Sequence, residues 1–188
     1  RELRRAMEHT HKKNWNIFQG SKFLPEKYEE DKDKIIAKYK KNGYRDARIV
    51  NDTVYAVSEK RIKIHMKIHE GRQYFFDDIN WTGNTVYSSD QLTQRLKIDE
   101  GDPFDMTLLS DRINVDEDAV GNMYLDNGYL FFTADPVITQ IQDDSVDVEI
   151  RIYEGKQARL NRVIIEGNTK TNEHVIRREL RTQPGDLF

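Results

Sequence analysis

Strict alternation of apolar and polar residues marks two segments of the chain as half-buried strands. From residue 146 to 153 every second residue is aliphatic, and the same pattern recurs from 62 to 68. Because successive side chains of a strand point to opposite faces, each segment predicts a strand with one face in the core. The inward residues are Val146, Val148, Ile150 and Ile152 in one strand and Ile62, Ile64, Met66 and Ile68 in the other.

Apolar residues at helical spacing predict two helices ahead of the strand at 146–153. Ser88 and Gln91 have the spacing of a capping box and open a short helix with Leu92 on its apolar face. A longer helix is predicted over Met106–Asp126, with apolar residues three, four or seven positions apart. Asn127 and Gly128 then end it, since glycine tolerates the left-handed conformation of a helix C-terminus.

The first part of the chain follows the same plan. A short helix is expected over Arg1–Met7, and Pro25 is placed to begin a longer one, because proline suits the first helical turn. That longer helix is predicted to bury Tyr28, Ile35 and Tyr39.

An internal repeat relates these segments. The matching segments lie 84 or 85 residues apart, which is poorly explained by chance. The matched pairs are Ile79–Thr85 with Val163–Thr169, Tyr39–Tyr44 with Tyr124–Tyr129, and Glu70-Gly71 with Glu154-Gly155. We therefore predict three units: 1–71, which lacks its first strand; 72–155, which is complete; and 156–188, which holds only a first strand and first helix. We expect the chain to be a piece of a longer protein.

The predicted fold class is α+β, with tandem βααββ repeats. Each complete repeat is a three-stranded mixed sheet with two amphipathic helices on one face. Strand one of the complete repeat is expected over Phe75–Thr82, and its penultimate strand over Tyr129–Ile141. Pro136 cannot donate to a ladder, so that penultimate strand is predicted at the sheet edge, beside a central last strand.

An edge strand offers unpaired backbone groups to which an extended guest can add. The counterpart of the Pro136 strand in the first unit is Arg48–Val57, which has no proline and is the better candidate. The alternative is that both edges are solvated and protected by twist or by a neighbouring repeat. The candidate partner-binding residues are Arg48, Ile49, Val50, Asn51, Thr53, Val54, Tyr55 and Val57 in the first unit and Phe132, Pro136 and Ile138 in the second.

Composition narrows the possible functions. A net charge of −3 gives no overall electrostatic signature for nucleic acid. The absence of cysteine excludes thiolate catalysis and cysteine-ligated zinc. No phosphate loop or nucleophile elbow is present, and we expect no enzyme, no cofactor and no catalytic residue.

Three groups of residues come near to a metal site, and none is predicted to be one. His65 and His69 share a strand face but lie roughly 13 Å apart at strand spacing, too far for one metal. His9 and His11 make at most a weak pair. Asp116 and Asp118 have part of a calcium-loop spacing but fall inside the predicted helix, as a solvated face.

The outward face of the strand at 62–68 is basic, with Lys60, Lys63 and Lys67 interleaved with His65 and His69. We interpret it as a solvated face, or alternatively as a patch for lipid headgroups or an acidic partner. Nucleic acid is not favoured, because no aromatic residues alternate with the basic ones.

In their order along the chain, these signals resemble the POTRA domain. They are Gly83-Asn84, then a short helix, Gly101-Asp102-Pro103-Phe104, a helix ending in Tyr124–Tyr129, and a hairpin ending in Glu154-Gly155. The resemblance covers essentially the whole chain. Residues Val175–Arg181 resemble the opening of the barrel-proximal domain in arrays of this family, and Trp15–Phe18 resembles the third domain.

The resemblance implies a periplasmic location at the outer membrane. It also implies as partners unfolded outer-membrane proteins, accessory outer-membrane lipoproteins and a C-terminal membrane barrel of the same full-length chain, but no nucleic acid. The leading hypothesis is a chaperone-like scaffold of outer-membrane barrel assembly that binds precursors by edge-strand addition. The alternatives are a purely structural spacer, which regular contacts between repeats would favour, and a secretion, translocation or division module with one fixed partner.

Overall fold

A computed structural model describes residues 23–58 and 61–187 of the chain. The predicted helix at Arg1–Met7, the Trp15–Phe18 segment, His9, His11 and Lys60 lie outside these residues. The elements in order are α1 (Pro25–Lys41), β1 (Arg48–Ser58), β2 (Arg61–His69), β3 (Phe75–Thr82), α2 (Ser89–Leu96), α3 (Met106–Asn114), α4 (Val120–Leu125), β4 (Thr133–Gln142), β5 (Ser145–Tyr153) and α5 (Glu173–Glu179).

In the first unit, α1 packs beside an antiparallel pair of strands, β1 and β2. The helix begins at Pro25 as predicted, and it buries Tyr28 and Ile35. Tyr39 is only half-buried. Its ring meets that of Tyr44 edge to face at 5.7 Å, and the equivalent pair in the second unit, Tyr124 and Tyr129, meets at 6.0 Å. These tyrosines therefore have the packing role that their repeat positions predict.

The second unit contains a three-stranded sheet with the order β3-β5-β4. The Phe75 amide at the start of β3 donates to Asp144 just before β5, and Gly83 after β3 lies against the Ile152 carbonyl near the end of β5. The starts of β3 and β5 therefore lie side by side, and so do their ends, which means that the two strands run parallel. Strands β4 and β5 are joined by a short turn, so that pair is antiparallel. The predicted mixed sheet, with the last strand central and the proline-bearing strand at the edge, is confirmed.

The core of this unit follows the predicted alternation. Val146, Val148 and Ile150 on β5 are fully buried, and Ile152 is nearly so. Helix α2 has the predicted capping box, in which the Gln91 amide donates to the Ser88 hydroxyl and the Gln91 side chain accepts from the Ser88 amide.

The prediction of one long helix over Met106–Asp126 is wrong in one respect. The segment forms two helices, α3 and α4, with a break at residues 115–119. The apolar spacing continues through the break, so the pattern could not reveal it. Asp and Asn side chains compete with the helical backbone for hydrogen bonds. Here the side-chain amide of Asn122 donates to the backbone carbonyls of Asp116 and Glu117 at 3.2 and 2.9 Å. These two carbonyls therefore have a hydrogen-bond donor although they are not part of a helix.

The third segment forms the predicted helix, α5, but its expected opening strand is not formed. Strand β3, whose repeat equivalent is 159–166, pairs with β5. Within the described part of the chain, no strand pairs with residues 159–166. A strand without a neighbour leaves its backbone groups to solvent and has no ladder to hold it. An isolated bridge, Arg159 with Leu187, nevertheless repeats the bridge between Phe75 and Pro103.

By backbone packing, the described residues form two compact parts, and the division between these parts does not coincide with the division into repeats. One consists of residues up to 78 with 99–108 and 138–147, and the other of 79–98, 109–137 and 148 onward. The repeat boundaries after residues 71 and 155 therefore stay predictions from the sequence.

Candidate strand-addition edges

Strand β1 is an edge in the described part of the first unit, since β2 is its only described neighbour. The strand holds all eight of the first-unit candidate residues. Four of them expose large apolar surface, with relative exposures of 54% for Val50, 37% for Val54, 43% for Tyr55 and 61% for Val57. The structure thus places these candidates together along one accessible strand.

Two irregularities bound the usable length of this edge. The register with β2 shifts between Ile49 and Asn51 and again between Ala56 and Ser58, so Val50 and Val57 are bulge residues. A bulge bends its strand and interrupts the ladder. Between the bulges, Asn51 to Ala56 pair in unbroken register with Lys67 to Ile62. The regular part of this edge is therefore six residues long.

A charged groove lies between α1 and β1. Lys32 reaches Asp52 on β1 at 3.3 Å and Glu29 on its own helix at 2.6 Å, and its side chain is only 18% exposed. Burial and the nearby Asp52 carboxylate raise the pKa of the Tyr28 hydroxyl. The groove is lined by Glu29, Lys32, Asp33, Ile36, Ala47, Arg48, Ile49 and Asp52.

Asp52 was missed in the sequence analysis. It was the one acidic position within the candidate strand, and a lone carboxylate among apolar and neutral residues was the signal that could have identified it. The structure shows that it joins β1 to α1 through Lys32.

Strand β4 is the poorer edge. It lies at the margin of its sheet, but Pro136 removes one backbone donor from it. Pro136 and Ile138 are half-buried. Phe132 was wrongly placed in this strand, because β4 begins at Thr133, and the Phe132 ring stacks on Tyr124 at 4.2 Å. The Phe132 side chain is half-buried against the buried Tyr124 ring.

A carboxylate at the end of β5 ties that strand to the loop after β3. Glu154 accepts hydrogen bonds from the amides of Thr85 and Val86 at 2.8 and 2.9 Å, from the Thr85 hydroxyl, and from the Tyr124 hydroxyl at 3.1 Å. Burial raises the pKa of the Glu154 carboxyl, but these hydrogen bonds outweigh it, so the pKa lies below its ordinary value. In the first unit, Glu70 accepts from the Tyr39 hydroxyl at 2.7 Å. Burial and that bond raise the pKa of Tyr39 to about 12.

The same backbone contact joins successive repeats at both junctions. At the first, the Tyr74 amide donates to the Gly43 carbonyl at 2.8 Å, and the Gln73 side chain donates to the Asn42 carbonyl at 2.9 Å. At the second, the Ala158 amide and the Gln157 side chain make the equivalent bonds to Gly128 and Asn127, at 2.7 and 3.0 Å. Gly43 has a φ of +84°, and a Cβ there would lie 2.4 Å from the Tyr74 carbonyl oxygen, so only glycine fits.

Asp116 and Asp118, which were predicted to form a solvated helix face, lie instead in the break between α3 and α4, where Arg112 binds them. The guanidinium reaches Asp116 at 3.1 Å and Asp118 at 2.5 Å, and it also donates to the Leu96 carbonyl. Arg112 and Lys97 hold the pKa of Asp118 well below its usual range. Within residues 23–58 and 61–187, no group of three or more His, Cys, Asp or Glu residues is placed to hold a metal. Nor is any helix in these ranges long and apolar enough to cross a membrane.

Comparison with known proteins relates the chain to one protein class. It is 28% identical over 161 residues to the outer membrane protein assembly factor BamA of Nitratidesulfovibrio vulgaris, covering 85% of this chain and 20% of the relative. It is 27% identical over 187 residues to BamA of Neisseria meningitidis serogroup B, covering 96% of this chain and 23% of the relative. The chain therefore spans about a fifth of the length of these curated relatives.

Solved structures show the same relationship. The crystal structure of Haemophilus influenzae BamA POTRA3-5 matches all of this chain and 73% of its own, with a TM-score of 0.61 and 25% identity. BamA of Haemophilus ducreyi lacking POTRA domains 1-3 matches 85% of this chain and 27% of its own, at a TM-score of 0.54 and 17% identity, which supports the fold. The family described as the surface antigen variable number repeat matches residues 1–71, 74–155 and 158–188. With all but four of its residues matched in three consecutive segments, the chain belongs to the POTRA family.

Proposed function

We propose that this chain is a periplasmic module of outer-membrane β-barrel assembly and that β1 holds extended segments of unfolded barrel precursors by strand addition. The observation that carries the proposal is the regular six-residue ladder from Asn51 to Ala56, whose second flank has no described neighbour and contains no proline. The names of the relatives, outer membrane protein assembly factors, support the setting. The location expected in the sequence analysis agrees with those names.

Strand addition suits a site that must accept many sequences. The guest pairs through its backbone, and six residues offer about six hydrogen bonds to one flank of a strand, each contributing about 1 kcal/mol net. Association costs several kcal/mol in lost freedom, so the expected affinity is weak, on the order of millimolar. Weak binding allows a precursor to be released, and successive repeats add avidity when one precursor spans them.

The side chains beside this edge impose little selectivity. The exposed Val50, Tyr55 and Val57 offer apolar contact without a closed pocket. Asp52 is already paired with Lys32, so it does not demand a charged guest. Accessory outer-membrane lipoproteins and the C-terminal membrane barrel of the full-length chain are proposed as the further partners.

The test is an NMR titration of the 188-residue chain with peptides copied from outer-membrane barrel strands. We expect amide shifts along Asn51 to Ala56, with smaller shifts along β4. The matched control is the same peptide N-methylated at alternate residues, which keeps every side chain but cannot complete a ladder. Equal shifts with both peptides would refute strand addition. If no amide signal shifts at millimolar peptide, precursor binding at this edge is refuted.

A second candidate function, the structural spacer, is favoured by the repeated junction contact. Both junctions use a glutamine side chain on an asparagine carbonyl and a backbone amide on a glycine carbonyl. Such a contact would set each junction in the same way without binding a precursor. A combined Gln73→Ala and Gln157→Ala variant should then speed hydrogen exchange at the amides of Tyr74 and Ala158, and unchanged exchange would argue against the spacer role.

A further inference from the structure

The outward face of the β1–β2 pair is a continuous cationic surface. On β2 the alternate residues Arg61, Lys63, His65, Lys67 and His69 are all exposed. The antiparallel register places them opposite Ser58, Tyr55, Thr53, Asn51 and Arg48 of β1. None of these ten positions is acidic, although the chain as a whole carries a net charge of −3. We call these ten residues the cationic face.

The fold itself does not require this charge, as the equivalent strand of the second repeat shows. Positions 84 residues later on β5 carry Ser145, Asp147, Glu149, Arg151 and Tyr153. There the single cation, Arg151, is paired with Glu149 at 2.5 Å. The same strand in the same architecture thus has a net negative charge in one repeat and at least three positive charges in the other. The charge of the cationic face is therefore a property of the first unit alone.

The surroundings of the charges favour a flat, amphipathic partner. The face extends roughly 26 Å along β2 at strand spacing, and it is part of a two-stranded ribbon rather than a cleft. The Tyr55 ring is exposed, and Lys63 lies 5.8 Å from its centre. The bulge residues Val50 and Val57 expose apolar side chains at either end of the regular ladder. Cations with an aromatic ring and exposed aliphatic groups are the combination that binds a bilayer interface.

We propose that the cationic face binds the surface of an anionic phospholipid bilayer. Each Lys or Arg near such a surface strengthens binding by about fivefold, and the attraction extends about one Debye length, near 8 Å at physiological salt. Arg48, Arg61, Lys63 and Lys67 supply four such charges on one side of the ribbon. The backbone groups of the β1 edge proposed to bind precursors lie in the plane of the sheet, whereas the charged side chains leave it perpendicular to that plane. The exposed side chain of Tyr55 adjoins both surfaces.

The experiment is co-sedimentation of the 188-residue chain with vesicles of phosphatidylglycerol and phosphatidylcholine in equal parts, and with vesicles of phosphatidylcholine alone. We expect binding to the anionic vesicles only. This binding should be lost at about 0.5 M salt, because salt screens the attraction between exposed charges. The double variant Lys63→Gln with Lys67→Gln should lower the partition coefficient by about 30-fold. The matched control, Lys27→Gln with Lys41→Gln, removes the same charge from exposed positions of α1 and should change it little.

Two outcomes would overturn the proposal. If both double variants lose binding equally, the attraction is a general one and the cationic face has no special role. If the vesicles stay unbound while poly-glutamate binds in a manner that depends on Lys63 and Lys67, the partner is an acidic polypeptide instead. Far-ultraviolet circular dichroism of each variant checks the fold, which these exposed substitutions should leave intact.

Discussion

Replacing Glu154 by glutamine tests whether the carboxylate at the end of β5 holds the second repeat together. Two backbone amides and the Tyr124 hydroxyl donate to it at 2.8 to 3.1 Å, and the Thr85 hydroxyl adds a further bond. A glutamine carbonyl can accept two of these bonds, but its amide group must then face another donor. It also removes the charge that strengthens all of them.

The magnitude follows from the number and kind of bonds at risk. A hydrogen bond to a charged group contributes about 1.5–3 kcal/mol net when buried. Because Glu154 is half-exposed, we take less than half of that for each of the bonds from the Thr85 amide, the Val86 amide and the Tyr124 hydroxyl. The Glu154→Gln variant should then lose about 2 kcal/mol of the free energy of unfolding.

The first repeat supplies the matched comparison. Glu70 is the equivalent residue, and its observed side-chain hydrogen bond comes from the Tyr39 hydroxyl at 2.7 Å. A glutamine there can still accept that bond through its carbonyl. The Glu70→Gln variant should therefore lose less than about 1 kcal/mol.

Urea unfolding followed by far-ultraviolet circular dichroism measures both losses, and amide NMR shifts of Thr85 and Val86 report the local bonds directly. We expect the midpoint to fall clearly for Glu154→Gln and only slightly for Glu70→Gln. Equal losses in the two variants, or a loss below about 0.5 kcal/mol for Glu154→Gln, would refute the reasoning, since surface substitutions commonly reach that size.

Three further predictions follow from the same contacts. Gly43→Ala should destabilise by more than Gly101→Ala in thermal unfolding: both residues have positive φ, but a Cβ at Gly43 meets the Tyr74 carbonyl at 2.4 Å, whereas nothing lies within 4 Å at Gly101. Because the pKa of Glu154 is lowered on folding, its contribution is complete above the unfolded value of about 4.3 and is lost as pH falls through the lower folded value. The stability difference between wild type and Glu154→Gln should therefore shrink below pH 4. Arg112→Met should cost about 2 kcal/mol in urea unfolding, since it removes the donor to the Leu96 and Arg95 carbonyls at the end of α2, while Asp118 keeps Lys97; a neutral result would mean that solvent replaces the guanidinium.

The sequence predicted the elements whose signals are local. Strand β3 has the bounds expected from its β-branched and aromatic run, and the capping box at Ser88 forms as its spacing indicated. The place of β4 at the edge also followed from one residue, Pro136, because a missing donor restricts where a strand can lie. The family resemblance followed from the order of the motifs along the chain, and the internal repeat means that several of these motifs occur twice.

Other features could not be predicted, because they depend on groups distant in sequence. The break between α3 and α4 keeps the apolar spacing of one helix, and only the contacts of Arg112 with the loop and with α2 distinguish the two arrangements. Phe132 was predicted as a strand residue, but it precedes β4 and its half-buried ring stacks on Tyr124. Likewise, residues 159–166, the repeat equivalent of β3, do not form a strand, since a ladder needs a neighbour.

By itself, then, the sequence determined the repeat, the α+β class, the central position of β5 and the edge position of β4, because hydrophobic period and proline chemistry act within a few residues. Only the tertiary structure decided which part of β1 keeps an unbroken ladder, since the bulges at Val50 and Val57 arise from its register with β2. It alone also showed that the basic residues of β2 lie opposite Arg48 and, among their described partners on β1, opposite no carboxylate, because cross-strand neighbours are set by pairing and not by position along the chain.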